Sequence, residues 1–443
     1  MFKTFIDALK VKEIRMRLLF TLVCVVIVRI GSNLPTPGID YEVFKSWLGD
    51  LNLGFLDTIT GGSFSQMSIF ALSISPYINA SIIVQLLTIA IPRLEELQKD
   101  GEDGRQKINN LTRYIAVILA VIEGTAMAIS FGNSHVLVGG TMSFTKVATV
   151  VLSFVASTCF LMWLGEKITE KGVGNGISII LLVNIVARLP QDMATLFREL
   201  VMDKTIPVGI LTSLVIIAVI FGLVVMIVLL QDAERRIPVQ YTKKIVGHKQ
   251  VGGNSSSIPL KVNTSGVIPV IFAMSILQVP IIISSFAGVS GKRLDGSFWE
   301  KCLYMFDQNN WFKLSPEGEF KYTLGAVLYV AMIIFFAYYY TAVTFNPIEI
   351  SNNLKKQGGF IPGIRPGKPT ADYLTSILNR IIFIGAIMLS IASIVPMIFT
   401  GFAGVHVSFA ATSIIIVVGV VLETLKQVES LMAVRHYKGF LDK

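Results

Sequence analysis

Charge is scarce in this chain. Asp, Glu, Lys and Arg make up 15% of its 443 residues, against about a quarter in an ordinary soluble domain. With 53% hydrophobic residues and a mean hydropathy of +0.67, that scarcity points to an integral membrane protein. Cysteine is scarcer still. Cys24, Cys159 and Cys302 stand alone, with no CxxC or paired spacing, so neither a disulfide framework nor a zinc site is indicated. The four histidines are scattered, and no GxxxxGK[ST], HExxH or GxSxG motif is present,. The string Gly172-Val-Gly-Asn-Gly176 does not follow a strand and reads as a tight turn. Enzymatic chemistry has no foothold here, and no cofactor or metal is expected.

What the chain has instead is long apolar runs. Between Ile69 and Ile91 it carries 23 residues without a charge, roughly 34 Å of helix, enough to cross a hydrocarbon core of about 30 Å. That run contains Ser73, Ser75, Pro76, Tyr77, Asn79, Ser81, Gln85 and Thr88. Polar groups in hydrocarbon must find partners inside the protein, so such a helix lines something. Just before it, residues 55–66 form a half-apolar segment interrupted by a glycine pair, the pattern of a small element sitting in a pore. Further spans are expected near 18–32, 113–131, 147–165, 176–190, 207–230, 265–285, 322–343, 374–398 and 407–426, about ten in all. Arg29 weakens the first and Arg188 shortens the fifth. Runs that are apolar all round argue against a β-barrel, whose strands alternate. The first run offers no convincing cleavage site after Arg29-Ile-Gly-Ser-Asn33 and is read as a permanent span rather than a signal peptide,.

Lys and Arg distribute unevenly between the two faces. With a cytoplasmic N-terminus, 27 of the 38 basic residues fall on the inside, as the positive-inside rule requires. Both termini are then cytoplasmic. The ten spans divide into an N-terminal half, 1–190, an external hinge, 191–206, and a C-terminal half, 207–443. The second helix of each half carries internal prolines, Pro76 in one, Pro269 and Pro280 in the other. Interrupted helices at matching positions are the usual pointer to a substrate path between inverted repeats, though prolines also kink packed helices.

Two inner loops are too long for connectors. In 231–264, Ile237-Pro-Val-Gln-Tyr241 and Ile258-Pro-Leu-Lys-Val262 read as a β-hairpin arm. The arm carries Arg235, Arg236, Lys243, Lys244, Lys249 and Lys261 against Asp232 and Glu234. In 344–373, Gly and Pro around Arg365 favour a rigid, exposed turn,. Basic loops serve topology or lipid contact; two long structured ones favour docking of a large acidic partner such as ribosomal RNA.

Five stretches resemble the SecY family, the channel subunits of the bacterial protein translocase. They are Ser75-Pro-Tyr-Ile-Asn-Ala-Ser-Ile-Ile-Val-Gln-Leu86, Gly174-Asn-Gly-Ile-Ser-Ile179, Gly266-Val-Ile-Pro-Val-Ile-Phe272, Gly359-Phe-Ile-Pro-Gly-Ile-Arg-Pro-Gly367 and Ala411-Thr-Ser-Ile-Ile-Ile416. The resemblance implies an all-α membrane protein of ten helices in two inverted, pseudo-symmetric halves around a central pore with a plug helix. It implies a protein-conducting channel of the cytoplasmic membrane, with small partner subunits (SecE, SecG), the SecA motor ATPase or the ribosome as the source of force, and preprotein signal sequences and membrane lipids as further partners.

Carried over residue by residue, the pore ring resembles Ile74, Ile78, Ile177, Leu181, Ile271 and Ile416, with Leu181 standing where many relatives have Ile. The plug is similar to about 55–66, with Phe55, Leu56, Ile59, Gly61, Gly62 and Phe64. Asn79, Glu123 and Ser275 resemble the polar residues set across a lateral gate between spans two/three and seven/eight; for Glu123 a plain hydrogen bond between packed helices is the alternative. Arg235, Arg236, Lys243, Lys244 and Arg365 are the implied docking points. Spacing agrees for the ring, since Ile74 and Ile78, and Ile177 and Leu181, lie four apart on one helix face. The competing class is a secondary transporter of inverted-repeat architecture, which needs a polar midplane site.

Overall fold

A computed structural model describes residues 9–48, 60–198, 206–241, 244–246, 249–251, 255–286, 298–306, 311–312, 324–403 and 411–441. The first group of helices comprises α1 (Lys12–Gly31), α2 (Tyr41–Leu48), α3 (Ser75–Ala90), α4 (Pro92–Lys99), α5 (Glu102–Asn133), α6 (Phe144–Lys171) and α7 (Gly176–Phe197). A second group begins with α8 (Ile206–Asp232), followed by strands β1 (Glu234–Tyr241), β2 (Lys244–Val246), β3 (Lys249–Val251) and β4 (Ser255–Lys261). It continues with α9 (Ile268–Phe286), α10 (Phe298–Phe306), α11 (Leu324–Thr344), α12 (Pro347–Lys356), β5 (Gly359–Phe360), α13 (Lys368–Ala403) and α14 (Ala411–Leu441).

Each of the ten expected stretches holds a helix. Length and apolarity alone mark six as membrane crossings, namely α5, α6, α7, α8, α11 and α13, and a seventh if the bent pair α3–α4 is one span. Arg15, Arg17 and Arg29 interrupt α1, which is why composition does not single it out. α8 shows apolar side chains all round, with Ile210, Leu211, Leu214, Ile217 and Phe221 exposed, as a helix surrounded by lipid does.

Two boundaries differ from the sequence reading. The helix expected from Ile69 starts only at Ser75, so it is roughly 24 Å long. Proline fits the first turn of a helix, where its missing N–H is not needed, and Pro76 fixes the start there,. Residues 61–74 make turns instead, with Met67 and Ser73 at positive φ. At the other end Pro92 forces Ile91 out of the helical region (φ −114, ψ 110),, and the chain bends by 105°. The fifth span does not stop near Arg188. α7 runs on to Phe197 because Arg188 and Asp192, four apart, pair at 3.3 Å on one helix face,. Of the stretch read as a hinge, the part up to Phe197 is thus helical, and 199–205 lies outside the described residues.

The glycine string does make the turn between α6 and α7. Asn175 caps α7, its side-chain oxygen accepting from Ile177 N (3.1 Å) and Ser178 N (3.4 Å),. Side by side run α3–α5–α6–α7 in the first group and α9–α11–α13–α14–α8 in the second. The groups touch along two lines, α7 against α14 on one side and α5 against α9 on the other.

The arm at 231–264 folds as the alternating sequence predicts, β1 antiparallel to β4 with Ile237 opposite Ile258. What sequence reading did not find is β5, which adds to the free edge of β1 through Gln240↔Phe360 and Tyr241↔Gly359. The second loop therefore joins the first. Ile237, Val239 and Leu260 of the arm bury against Leu354, Ile361, Leu374, Ile377 and Ile381. One compact platform results.

Candidate functional site

Five chain segments contribute aliphatic side chains to one apolar cluster. Ile74 comes from the turn before α3, Ile78 from α3, Ile177 and Leu181 from α7, Ile271 from α9 and Ile416 from α14. Ile74, Leu181 and Ile416 are buried in one apolar cluster, and Ile78, Ile177 and Ile271 pack against it. All six expected ring residues thus belong to or border one cluster, which also takes in residues of α1 and α6. None carries a polar side-chain atom.

Of the expected plug, Phe55, Leu56 and Ile59 lie outside the described residues. Of the remainder, 60–66, Gly61 approaches α7 so closely that an added Cβ would lie 2.6 Å from the carbonyl oxygen of Asn184, three residues beyond Leu181. Its φ of +67 is a second reason for glycine there,. The Arg29 guanidinium reaches the Gly61 carbonyl at 3.5 Å. Asn184 donates from Nδ2 to Ser73 Oγ at 3.2 Å. Phe64 is buried in a different cluster, with Phe44, Met67 and Phe131.

Asn79 donates from Nδ2 to Glu123 Oε1 at 3.2 Å. Both residues belong to the first group, α3 and α5, so the bond stays on one side of the seam and does not cross it. Ser275 stands on α9, on the other side, and no hydrogen bond joins it to the pair among the described residues. The seam itself is apolar. Ile78, Ile82 and Leu86, four apart along one face of α3, join a cluster with Val270, Phe272, Met274 and Leu277 of α9 and Tyr329, Ile333 and Phe336 of α11. Among the described residues a polar bond crosses near its end: Tyr339 Oη donates to the Gln85 carbonyl at 2.6 Å. Sequence reasoning missed it.

On the opposite side, the α6–α7 turn is fastened to α14. Gly174 N donates to Gln427 Oε1 at 2.5 Å. Val173 N donates to Thr21 Oγ1 of α1 at 3.1 Å, and Val173 is buried with Ile14 and Val428.

On the platform, Arg235 and Arg365 are exposed. Arg236 is exposed too and pairs with Glu234 of its own strand, Nε to Oε1 at 2.7 Å. Lys244 lies on β2, while Lys243 is outside the described residues. The turn carrying Arg365 is braced by Thr370 Oγ1 donating to the Arg365 carbonyl (2.8 Å) and Ser351 Oγ donating to that of Gly367 (2.7 Å). No group of three or more His, Cys, Asp or Glu that could hold a metal occurs among the described residues.

The family model described as SecY matches residues 68–425. A "Protein translocase subunit SecY" of Streptomyces galbus is 41% identical, with both chains covered in full. Among solved structures, "The structure of a protein conducting channel" is similar in fold, with a TM-score of 0.60, 18% identity, and 95% and 93% of the two chains covered. The idle yeast Ssh1 complex bound to the yeast 80S ribosome gives a TM-score of 0.63 at 16% identity, with 95% and 89% covered.

Proposed function

The chain belongs to the SecY family, and from that premise we propose that it is the protein-conducting channel of a translocase in the bacterial cytoplasmic membrane. It is a multi-pass membrane protein and not an enzyme. Unfolded preproteins pass through the collar formed by Ile74, Ile78, Ile177, Leu181, Ile271 and Ile416. Branched aliphatic side chains yield around a passing chain and collapse behind it, so the collar fits clients of any sequence while disfavouring ions when empty. The plug, about 55–66, blocks the pore beside the collar when no client is present. The two halves, 1–190 and 207–443, turn about the 191–206 connection and part along the α3/α5–α9/α11 seam, which lets signal sequences and hydrophobic segments pass sideways into lipid. Both termini are cytoplasmic, which brings the platform to the side where SecA or the ribosome docks. Arg235, Arg236, Lys243, Lys244 and Arg365 supply its positive charge. SecE and SecG complete the complex.

The observation that carries this reading is the meeting of six aliphatic side chains from distant segments in one cluster. The test is a preprotein arrested halfway, with a single cysteine in the segment inside the channel. Cysteines placed at Ile78 and Ile177 in separate variants should form disulfides with it, and a cysteine at the exposed Val421 should not. Equal capture at Val421, or none at the collar, contradicts the reading.

A further inference from the structure

The α3 seam is held by dispersion and burial over almost its whole length. Its stripe, Ile78, Ile82 and Leu86, packs with apolar and aromatic side chains of α9 and α11. Such a surface sets no sharp closing point, because apolar contact is non-directional and slides at little cost. Among the described residues, a directional contact crosses it. The Tyr339 hydroxyl donates to the backbone carbonyl of Gln85 at 2.6 Å, joining α11 to the last turns of α3. The same carbonyl accepts Thr88 Oγ1 at 2.6 Å, so two hydroxyls converge on it just before the Ile91–Pro92 break. Tyr339 is itself held in place, its ring stacked on Phe335 with centroids 6.1 Å apart and edge-on to Phe336 at 6.3 Å. The neighbouring Tyr338 hydroxyl turns the other way and donates to the Asn379 carbonyl of α13 at 3.1 Å, inside the second group.

We propose that Tyr339 is the clasp of the seam: a positioning residue whose hydroxyl, bonded to the Gln85 carbonyl, fixes the closed register of α3 against α11 and is released when the seam opens. This rests on the reading of the seam as the lateral exit. Because the acceptor is backbone, the side chain at position 85 is immaterial to the clasp, and only loss of the tyrosine hydroxyl breaks it.

The test is Tyr339→Phe, which keeps the ring and its packing and removes one oxygen. One net hydrogen bond shifts the open-to-closed ratio by roughly three- to tenfold. The variant should pass clients with defective signal sequences more efficiently by that factor and leak more ions in planar bilayers. Gln85→Ala and Tyr338→Phe should match the unmodified channel. If Tyr339→Phe is unchanged, or if either control equals it, there is no clasp. A separate arm tests the seam. In a channel with Cys24, Cys159 and Cys302 replaced by Ala, cysteines at Ile82 and Leu277 are bridged by a short bismaleimide. If bridging stops insertion of membrane segments while Tyr339→Phe is silent, the exit stands and the clasp fails. If bridging leaves insertion intact, the lateral exit itself is wrong.

Discussion

The two lines along which the halves meet are built on opposite principles. At the front, α3 lies against α9 and α11 through a stripe of branched and aromatic side chains, with the Tyr339 hydroxyl crossing it. At the back, the α6–α7 turn is bonded to α14 through Gln427 and to α1 through Thr21. There the backbone comes so close that a Cβ at Gly174 would meet Ile179 at 2.8 Å and Thr424 at 3.0 Å. An apolar face re-forms after parting at no cost in unpaired groups. A buried N–H cannot leave its acceptor without a penalty of about 1–3 kcal/mol. On the proposed reading, this contrast assigns the opening to the front and the hinge to the back.

Bridging each junction breaks the comparison most sharply. A bismaleimide between cysteines at Val173 and Val428, both buried at the back, should leave preprotein translocation near normal, whereas the front bridge abolishes it. Equal inhibition by the two would mean that the back moves as well.

Next in size is the close approach itself. Gly174 has φ +82, a region that costs a side chain about 1–3 kcal/mol before any clash is counted. Gly174→Val should therefore lower the thermal unfolding midpoint in detergent by more than the loss of a single hydrogen bond does. Gln427→Ala should follow, costing about 1–3 kcal/mol for the Gly174 N–H left without its acceptor, and should not raise ion leak. A leak without loss of stability would place the opening at the back.

The smallest expected effect concerns Glu123. Its bond to Asn79 stays within the first group of helices, so it shapes α3 without fastening the seam. Glu123→Gln keeps an acceptor for Asn79 and should leave signal selection unchanged, while Glu123→Ala costs about 1 kcal/mol in stability. A strong change in client selection by Glu123→Gln would restore the pair to a role across the seam.

Much of this architecture is legible in the chain because it rests on local pattern. Long apolar runs mark the helices, and alternation marks the β1–β4 arm with Ile237 opposite Ile258. Only family motifs single out the six residues of the proposed collar; periodicity alone supplies the two four-residue spacings. Hydropathy misplaces the start of α3 because it ignores where a proline fits: Pro76 is in plain view and belongs in a first turn. The continuation of α7 to Phe197 has its signal too, in the four-residue spacing of Arg188 and Asp192. Other features leave no trace in the sequence. β5 is two residues long and pairs with a strand far away in the chain. In Phe335-Phe-Ala-Tyr-Tyr-Tyr340 nothing tells which hydroxyl crosses to a partner, and the acceptor is a backbone carbonyl, which every residue has.

The central claim is that the channel shuts on a dry aliphatic collar, and Ile416 tests it most directly. Ile416 is buried in the same apolar cluster as Ile74 and Leu181, and burying such a side chain contributes about 1.5–3 kcal/mol. Val421, on the same helix, is exposed. In planar bilayers Ile416→Asn should raise ion conductance of the resting channel about tenfold, the effect of some 1.4 kcal/mol on a two-state equilibrium, with Ile416→Leu and Val421→Asn near the unmodified level. Equal conductance in Ile416→Asn and Val421→Asn would contradict the collar.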